Sequence, residues 1–400
     1  MILASKRIVT GDGKSILFES ALLIKNEMIA KVGLKEDLIR QFPKEKIKDY
    51  GDATIIPGLM DMHTHIGMHD ACEDAEDYND YRLGILGQKQ LEQCFQWGCT
   101  TIRDAGCPDG LLESLRRAAN NGFILVPRIF HANIAIAMSG GHCWELTLVM
   151  EADGVCDCIK KVREQIRGGA DWIKIMTGHR TNTPEFTQTE LNEMVKEAHR
   201  LGRKVEIHAA LHPALEMAIE SGCDSVEHGT YLDVALASKM QERNIYWTPT
   251  MSFLDYWTDF FDRDKSLHNE YMQGSKKTYP YFKRGTEYIQ QHFVEVVKAS
   301  GVKIITGTDC DNGYHQNGSA CLEVGALINC GFDPLFAIQA GSYNCAEILG
   351  ISDRVGLLNE GYIADIAVVN GDPTKDWTMM ADILETFYAG NSVYVKENDH

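Results

Sequence analysis

Two histidines one residue apart, His63 and His65 in PGLMDMHTH, end an apolar run near the start of the chain. Side chains of an extended strand alternate with period two, so both imidazoles belong to one face. Further along, Lys174 interrupts the apolar run DWIKIM, His208 ends VEIH, His228 ends SVEH and Asp309 closes IITGTD. Neutral imidazole and carboxylate are the donors that borderline divalent cations such as Zn²⁺ favour. An isolated H-x-H arises by chance, and a single buried histidine is more often a hydrogen-bonded core residue. Donors ending one short strand after another point instead to metal-assisted chemistry.

Lys174 needs its own argument. Lysine is seldom buried unpaired, and an apolar strand is a costly place for an ammonium. The neutral amine can add CO₂ and become a carbamate, an anion whose two oxygens can bridge two cations. The alternative is a lysine that salt-bridges a nearby carboxylate such as Asp309.

These residues must be positioned by the elements around them. From about residue 100 to 310 a helix, a Gly or polar turn and a short strand recur. In TQTELNEMVKEAHRLGRKVEIHA, Thr187 and Glu190 form a capping-box pair, and Leu191, Met194, Val195, Ala198 and Leu201 mark one helical face. Gly202 stops that helix, and Val205 and Ile207 belong to the strand that follows. In HPALEMAIESGCDSVEHG, Pro213 falls near the first helical position and Gly222 at the stop. The strand candidates in order are TIIPGLMDMH, TTIRDAG, RIFHANIAI, DWIKIMTG, KVEIHA, SVEHGT, IYWTPT and VKIITGTD, and an apolar stretch near 333–349 follows the last. Strands alternating with helices predict a parallel sheet. Eight such units predict a (β/α)8 TIM-type barrel over 57–356, with its active site where the strands end. Residues 1–56 and 357–400 are short, strand-like and rich in turn signals, and predict one small β-sandwich domain built from both termini.

Composition narrows the function further. The chain has 400 residues, 44% hydrophobic and 24% charged, as an ordinary globular protein has. A net charge of −18 repels phosphate backbones and argues against nucleic-acid binding. No apolar run reaches the roughly 20 residues that span a bilayer, so no membrane partner is expected. The start, MILASKRIVTGDGKS, has no apolar signal core. The 12 cysteines show no paired CxxC spacing; Cys156 and Cys158 make only a C-x-C in a helix-like stretch. Reduced thiols, mostly small core residues, and a cytoplasmic location are expected.

PGLMDMHTH, the lysine of DWIKIM, His208 in VEIHA, His228 in VEHGTYLD and Asp309 in ITGTDC together resemble the metal-binding set of the amidohydrolase superfamily. The terminal GYIADIAVVNGDP resembles that superfamily's small β-domain. SGGHCWE around His142, EHGTYLD with Tyr231 and the TPT of the seventh strand resemble the prolidase-like dipeptidases, neighbours of imidazolonepropionase. The resemblance implies that His63, His65 and Asp309 hold one metal, that His208 and His228 hold the other, and that a carboxylated Lys174 bridges them. Imidazolonepropionase-like enzymes hold one metal and lack that lysine, which favours the binuclear branch. Zinc is the expected metal, and manganese and iron suit the same donors.

The resemblance also implies a mechanism: a metal-bridging hydroxide attacks a C–N amide, with Asp309 as general base and acid. His142 or Tyr231 would donate a hydrogen bond to the oxyanion. The expected substrate is a dipeptide or N-acyl amino acid with a free carboxylate, which Arg180 can grip in bidentate fashion alongside His142 and Tyr231. After the fourth strand the sequence reads TGHRTNTPEF, where the family is usually small and glycine-rich. The long segment from Met251 to Gly285 is rich in aromatics and could be a lid over the site, an extra helical hairpin or an oligomer contact. A homo-oligomer is expected. Two rival readings are a hydrolase of a cyclic amide or imidazolone, and a silent binding or scaffold relative. The second is opposed by the presence of every expected ligand.

Overall fold

The computed structural model describes residues 1–68, 79–144, 146–177, 184–254, 279–310 and 317–397. The first strands are β1 (Ile2–Val9), β2 (Ile16–Lys25), β3 (Met28–Leu34), β4 (Ile47–Asp49) and β5 (Thr54–Pro57), with β1 and β5 buried along nearly their whole length. Both termini meet in one sheet. Its order is β17-β16-β15-β5-β1-β2-β3, with β4 also on β1, where β15 is Ile366–Val369, β16 is Ile383–Tyr388 and β17 is Asn391–Val395. Leu3, Ile8, Leu22, Ile29, Ile55, Ile366, Val368 and Phe387 form its core.

The strands expected as a sandwich are therefore hydrogen-bonded as a single eight-stranded sheet. β5 pairs with β1 on one side and β15 on the other, so the sheet runs on without a break. A bridge between Met28 and Ile363 then curls its far edge back over itself.

The middle of the chain is parallel. β6 (Leu59–Thr64), β7 (Cys99–Asp104) and β8 (Arg128–His131) make one sheet. A second has the order β10-β9-β11-β12-β13-β14. Its strands are β9 (Ala135–Ala137), β10 (Val149–Glu151), β11 (Trp172–Met176), β12 (Lys204–Ala209), β13 (Ser225–His228) and β14 (Tyr246–Thr248). RIFHANIAI, read as one strand, is divided between β8 and β9 because Asn133 takes a left-handed turn at φ 61°. The Asn133 amide holds that turn by donating to Asp109 at 2.8 Å and Gln165 at 2.9 Å.

VKIITGTD does not form a regular strand; its Ile304 makes an isolated parallel bridge to Trp247, and Cys310, the residue that follows the segment, makes another to Thr64. The segment nevertheless bonds along β6, Met62 N donating to Thr306 O at 2.9 Å and Asp309 N to His63 O at 2.7 Å.

Helices pack outside these strands. Gln188–Arg200 carries the expected capping box of Thr187 and Glu190, and its Leu191, Met194 and Val195 face Ile173, Ile175, Val205 and Ile207 in the main core. Each such side chain contributes about 1.5–3 kcal/mol on burial. Ala214–Ser221 begins directly after Pro213 and ends at Gly222 in the left-handed conformation. Of the described cysteines, all are free and most are buried. Among the described residues no helix is long and apolar enough to cross a membrane.

Candidate metal centre

Register brings the polar residues together. Lys174 of β11 lies opposite Glu206 of β12, and His208 of β12 lies opposite Glu227 of β13. Strict alternation would send His228 away from the face that Glu227 occupies. His228 instead has φ 66°, outside the extended region, and its ring comes 5.1 Å from that of His63 and 4.5 Å from that of His208. Asp309 is also left-handed, at φ 53°. Non-glycine residues held there cost on the order of 1–3 kcal/mol, and such strain gathers at functional sites.

Asp309 is the hub. Its Oδ1 lies 3.2 Å from His63 Nε2 and 3.4 Å from His65 Nε2, and its Oδ2 lies 3.9 Å from His228 Nδ1. Bonds on the far side of two rings set their protonation. His63 Nδ1 meets Glu227 Oε2 at 2.8 Å, and His65 Nδ1 meets the Gly106 carbonyl at 2.9 Å. A carboxylate and a carbonyl only accept, so both Nδ1 atoms carry hydrogen and, in the neutral rings, both Nε2 atoms present lone pairs. Two lone pairs and a carboxylate oxygen within 3.4 Å repel unless a proton or a metal cation lies among them. The donor set therefore fits a divalent metal, with His63, His228 and Asp309 close enough to share one ion.

Electrostatics bear on the protonation of the rings. Burial pushes the His228 imidazole down to about 3, against the pull of Asp309, so the ring is neutral. Burial would raise the Asp309 carboxyl, but the charge of His63 and hydrogen bonds from His63 and His65 outweigh it and hold it well below the usual carboxylate range. Burial and Lys174 would lower the His63 imidazole, but Asp309 and Glu227 outweigh them and raise it, so a proton and a divalent ion compete for the same nitrogen. Lys174 is buried, with Nζ 3.5 Å from His63 Nε2. Among the described residues no carboxylate lies within ion-pairing distance of it, so the alternative salt bridge to Asp309 is not formed.

The remaining site candidates divide. The His142 ring sits 4.4 Å from that of His208, carried there by the turn after β9. Tyr231 stacks on Tyr288 at 5.3 Å and lies 6.5 Å from the His212 ring. Gly285 allows this packing, since a Cβ there would come 3.2 Å from the Tyr231 ring and 2.7 Å from Thr230. Arg180 lies outside the described residues, as do residues 255–278 of the aromatic segment.

Several supporting residues were missed from sequence. Asp61 accepts from Thr308 N at 3.0 Å and Thr308 Oγ1 at 2.6 Å, stapling the irregular 301–310 segment to β6. Thr250 exchanges a hydrogen bond with His228 Nδ1 at 2.9 Å. Arg103, Glu206 and Glu227 are fully buried beneath the histidines. A signal was present: Asp61 and Glu206 each precede a histidine by two residues, which puts them on the same strand face.

Imidazoles gathered around one carboxylate at the ends of parallel strands define an α/β protein with a metal-type centre. Residues 54–393 match the Amidohydrolase family, and the chain belongs to it. It is similar to an ochratoxinase of Aspergillus niger, 28% identical over 92% of this chain and 81% of that protein. The crystal structure of a Xaa-Pro dipeptidase with bound methionine superimposes with a TM-score of 0.86 at 26% identity, covering 99% of each chain. An imidazolonepropionase of Pyrobaculum arsenaticum is 23% identical over 92% of each chain.

Proposed function

We propose that this protein is a binuclear metal-dependent hydrolase that cleaves the C–N amide of a dipeptide or N-acyl amino acid with a free carboxylate. The observation that carries the reading is the pair of imidazole nitrogens facing Asp309 beside a buried lysine that, among the described residues, has no carboxylate partner. The proposed scaffold is a (β/α)8 barrel over 57–356, beside a terminal β-domain of 1–56 and 357–400. The backbone bonds of 301–310 to β6, with its bridge to β14, support ring closure.

His63, His65 and Asp309 would hold one ion and His208 and His228 the other, with Lys174 carboxylated between them and zinc the proposed metal. When bound, such ions supply a water acid enough to react near neutral pH. Asp309 would orient a water at the site, accept its proton and pass it to the leaving amine. His142, beside His208, donates to the developing oxyanion. Arg180 and Tyr231 would read the substrate carboxylate. Likeness to a Xaa-Pro dipeptidase supports a dipeptide over a cyclic amide.

The test combines elemental analysis with a screen of dipeptides, N-acyl amino acids and cyclic amides for amine release. About two divalent ions per chain are expected. Amidating the substrate carboxylate should lower kcat/KM roughly 100-fold, about 2.7 kcal/mol of charge-assisted bonding. Equal cleavage of amide and free acid would discard the dipeptidase reading and favour a cyclic amide.

A further inference from the structure

We propose that Glu227, braced by Arg103, is the positioning residue that fixes His63 for metal binding. The proposal rests on the metal-centre reading above and gives a role to two residues, Glu227 and Arg103, that hold no ion in it.

Arg103 is buried beneath the histidines and ties several strands at one point. Its Nε donates to the Met62 carbonyl at 2.7 Å, next to His63 in the chain. Its Nη1 donates to Ser225 Oγ at 3.0 Å, its Nη2 to Glu227 Oε1 at 3.0 Å, and its plane lies 4.6 Å over the Trp172 ring. Ser225 Oγ donates in turn to Glu227 Oε1 at 2.5 Å. One carboxylate oxygen of Glu227 is thus held by two donors, and the other, Oε2, is left to accept from His63 Nδ1 at 2.8 Å. The carboxylate cannot rotate without breaking those bonds.

The consequence falls on His63. An imidazole can carry its proton on either nitrogen, and only the Nδ1–H form turns a lone pair on Nε2 toward Asp309. Glu227 selects that form and fixes the ring plane. An arginine suits the role because its planar fork reaches a β6 carbonyl and two β13 side chains together, which the point charge of a lysine does not. Burying such charges brings little net stability compared with well-packed apolar residues. Orienting a ligand is a role apolar residues could not take.

Glu206 provides an internal control. Its Oε2 lies 3.1 Å from the same Arg103 Nη2, but Glu206 makes no hydrogen bond to His63.

The experiment uses the full-length protein stripped of metal by chelation and titrated with zinc against a chromophoric chelator. Glu227→Gln should weaken zinc binding 10–100-fold and alter the visible spectrum of the cobalt-loaded protein. Glu206→Gln should stay within about 3-fold of wild type, since Glu206 shares the Arg103 contact but makes no hydrogen bond to His63. Glu227→Gln binding as tightly as wild type, or Glu206→Gln weakening it equally, overturns the positioning role. A second measurement needs no Glu227 variant. Histidine nitrogen NMR of the metal-free wild type, with His63 assigned by the signal lost in His63→Asn, should show the Nδ1–H tautomer; the Nε2–H tautomer overturns the proposal. A wild type that takes up no divalent ion overturns the metal-centre reading and this proposal with it. Normal wild-type uptake with an unaffected Glu227→Gln overturns the positioning role alone.

Discussion

Asp309 combines two demands that one variant separates. It faces His63 and His65, as a ligand would, and it is the only proposed carrier of the proton between water and leaving group. Asp309→Asn keeps an oxygen donor and removes the base. It should retain much of the metal while kcat falls on the order of 10²–10⁴-fold; turnover within a few-fold of wild type at saturating substrate would exclude Asp309 as the base. Lys174 poses a different question, because burial with no carboxylate partner among the described residues suits an amine that has reacted with CO₂ better than an ammonium. Lys174→Ala should lose metal and activity together, and bicarbonate with a short-chain acid should restore part of both by replacing the bridge. A bare ammonium in high-resolution density at full metal occupancy would end that idea.

At the scale of elements, the centre depends on how closely the 301–310 segment approaches β6. Gly307 permits it: a Cβ there would lie 2.6 Å from His63 Cβ and 2.5 Å from Thr248 Cγ2. Gly307→Ala must push one strand end away, so it should cost about 1–3 kcal/mol by overpacking and lower metal content as well. Thr187→Ala, which removes the capping box of the helix Gln188–Arg200, should cost about 1 kcal/mol in denaturant unfolding and leave metal content unchanged. The end of β8 carries an acid-sensitive group. Burial pushes the His131 imidazole down to about 4 against the pull of Asp171 and Glu113, and among the described residues neither ring nitrogen has a hydrogen-bond partner, Glu113 lying 3.7 Å from Nε2. Unfolding raises it to about 6.5, so between those values the unfolded chain binds more protons and stability falls as pH drops. His131→Phe should flatten that part of the stability profile.

The whole molecule acts through its charge and through the joint between its two sheet systems. Arg128 of β8 reaches Asp365 at 3.1 Å, and Thr386 of β16 donates to the Phe95 carbonyl at 2.7 Å, locking the terminal sheet against the parallel strands. A surface with net charge −18 repels a carboxylate-bearing substrate before local donors can act. Raising ionic strength screens that repulsion over about 10 Å at 0.1 M. Accordingly kcat/KM for an anionic substrate should rise with salt while that for its neutral amide stays flat. Parallel salt profiles for the two would show that surface charge does not govern encounter.

Much of this was legible in the order of residues. Period-two alternation paired His63 with His65, helical periodicity and a capping box located Gln188–Arg200, and polar residues ending apolar runs marked His208, His228 and Asp309. Those signals are local, spanning a few residues of one element, and local sterics and hydrogen bonds enforce them. What lay beyond reach was set across elements. The split at Asn133, the irregular 301–310 segment and the single curled sheet each follow from contacts between segments far apart in the chain. Glu227 is the sharpest case, since its neighbour His228 shares its face only through a left-handed turn that alternation does not foresee. Its partners Arg103 and His63 reach it from other strands, and only the packed fold brings a guanidinium, a carboxylate and an imidazole within hydrogen-bonding distance out of water.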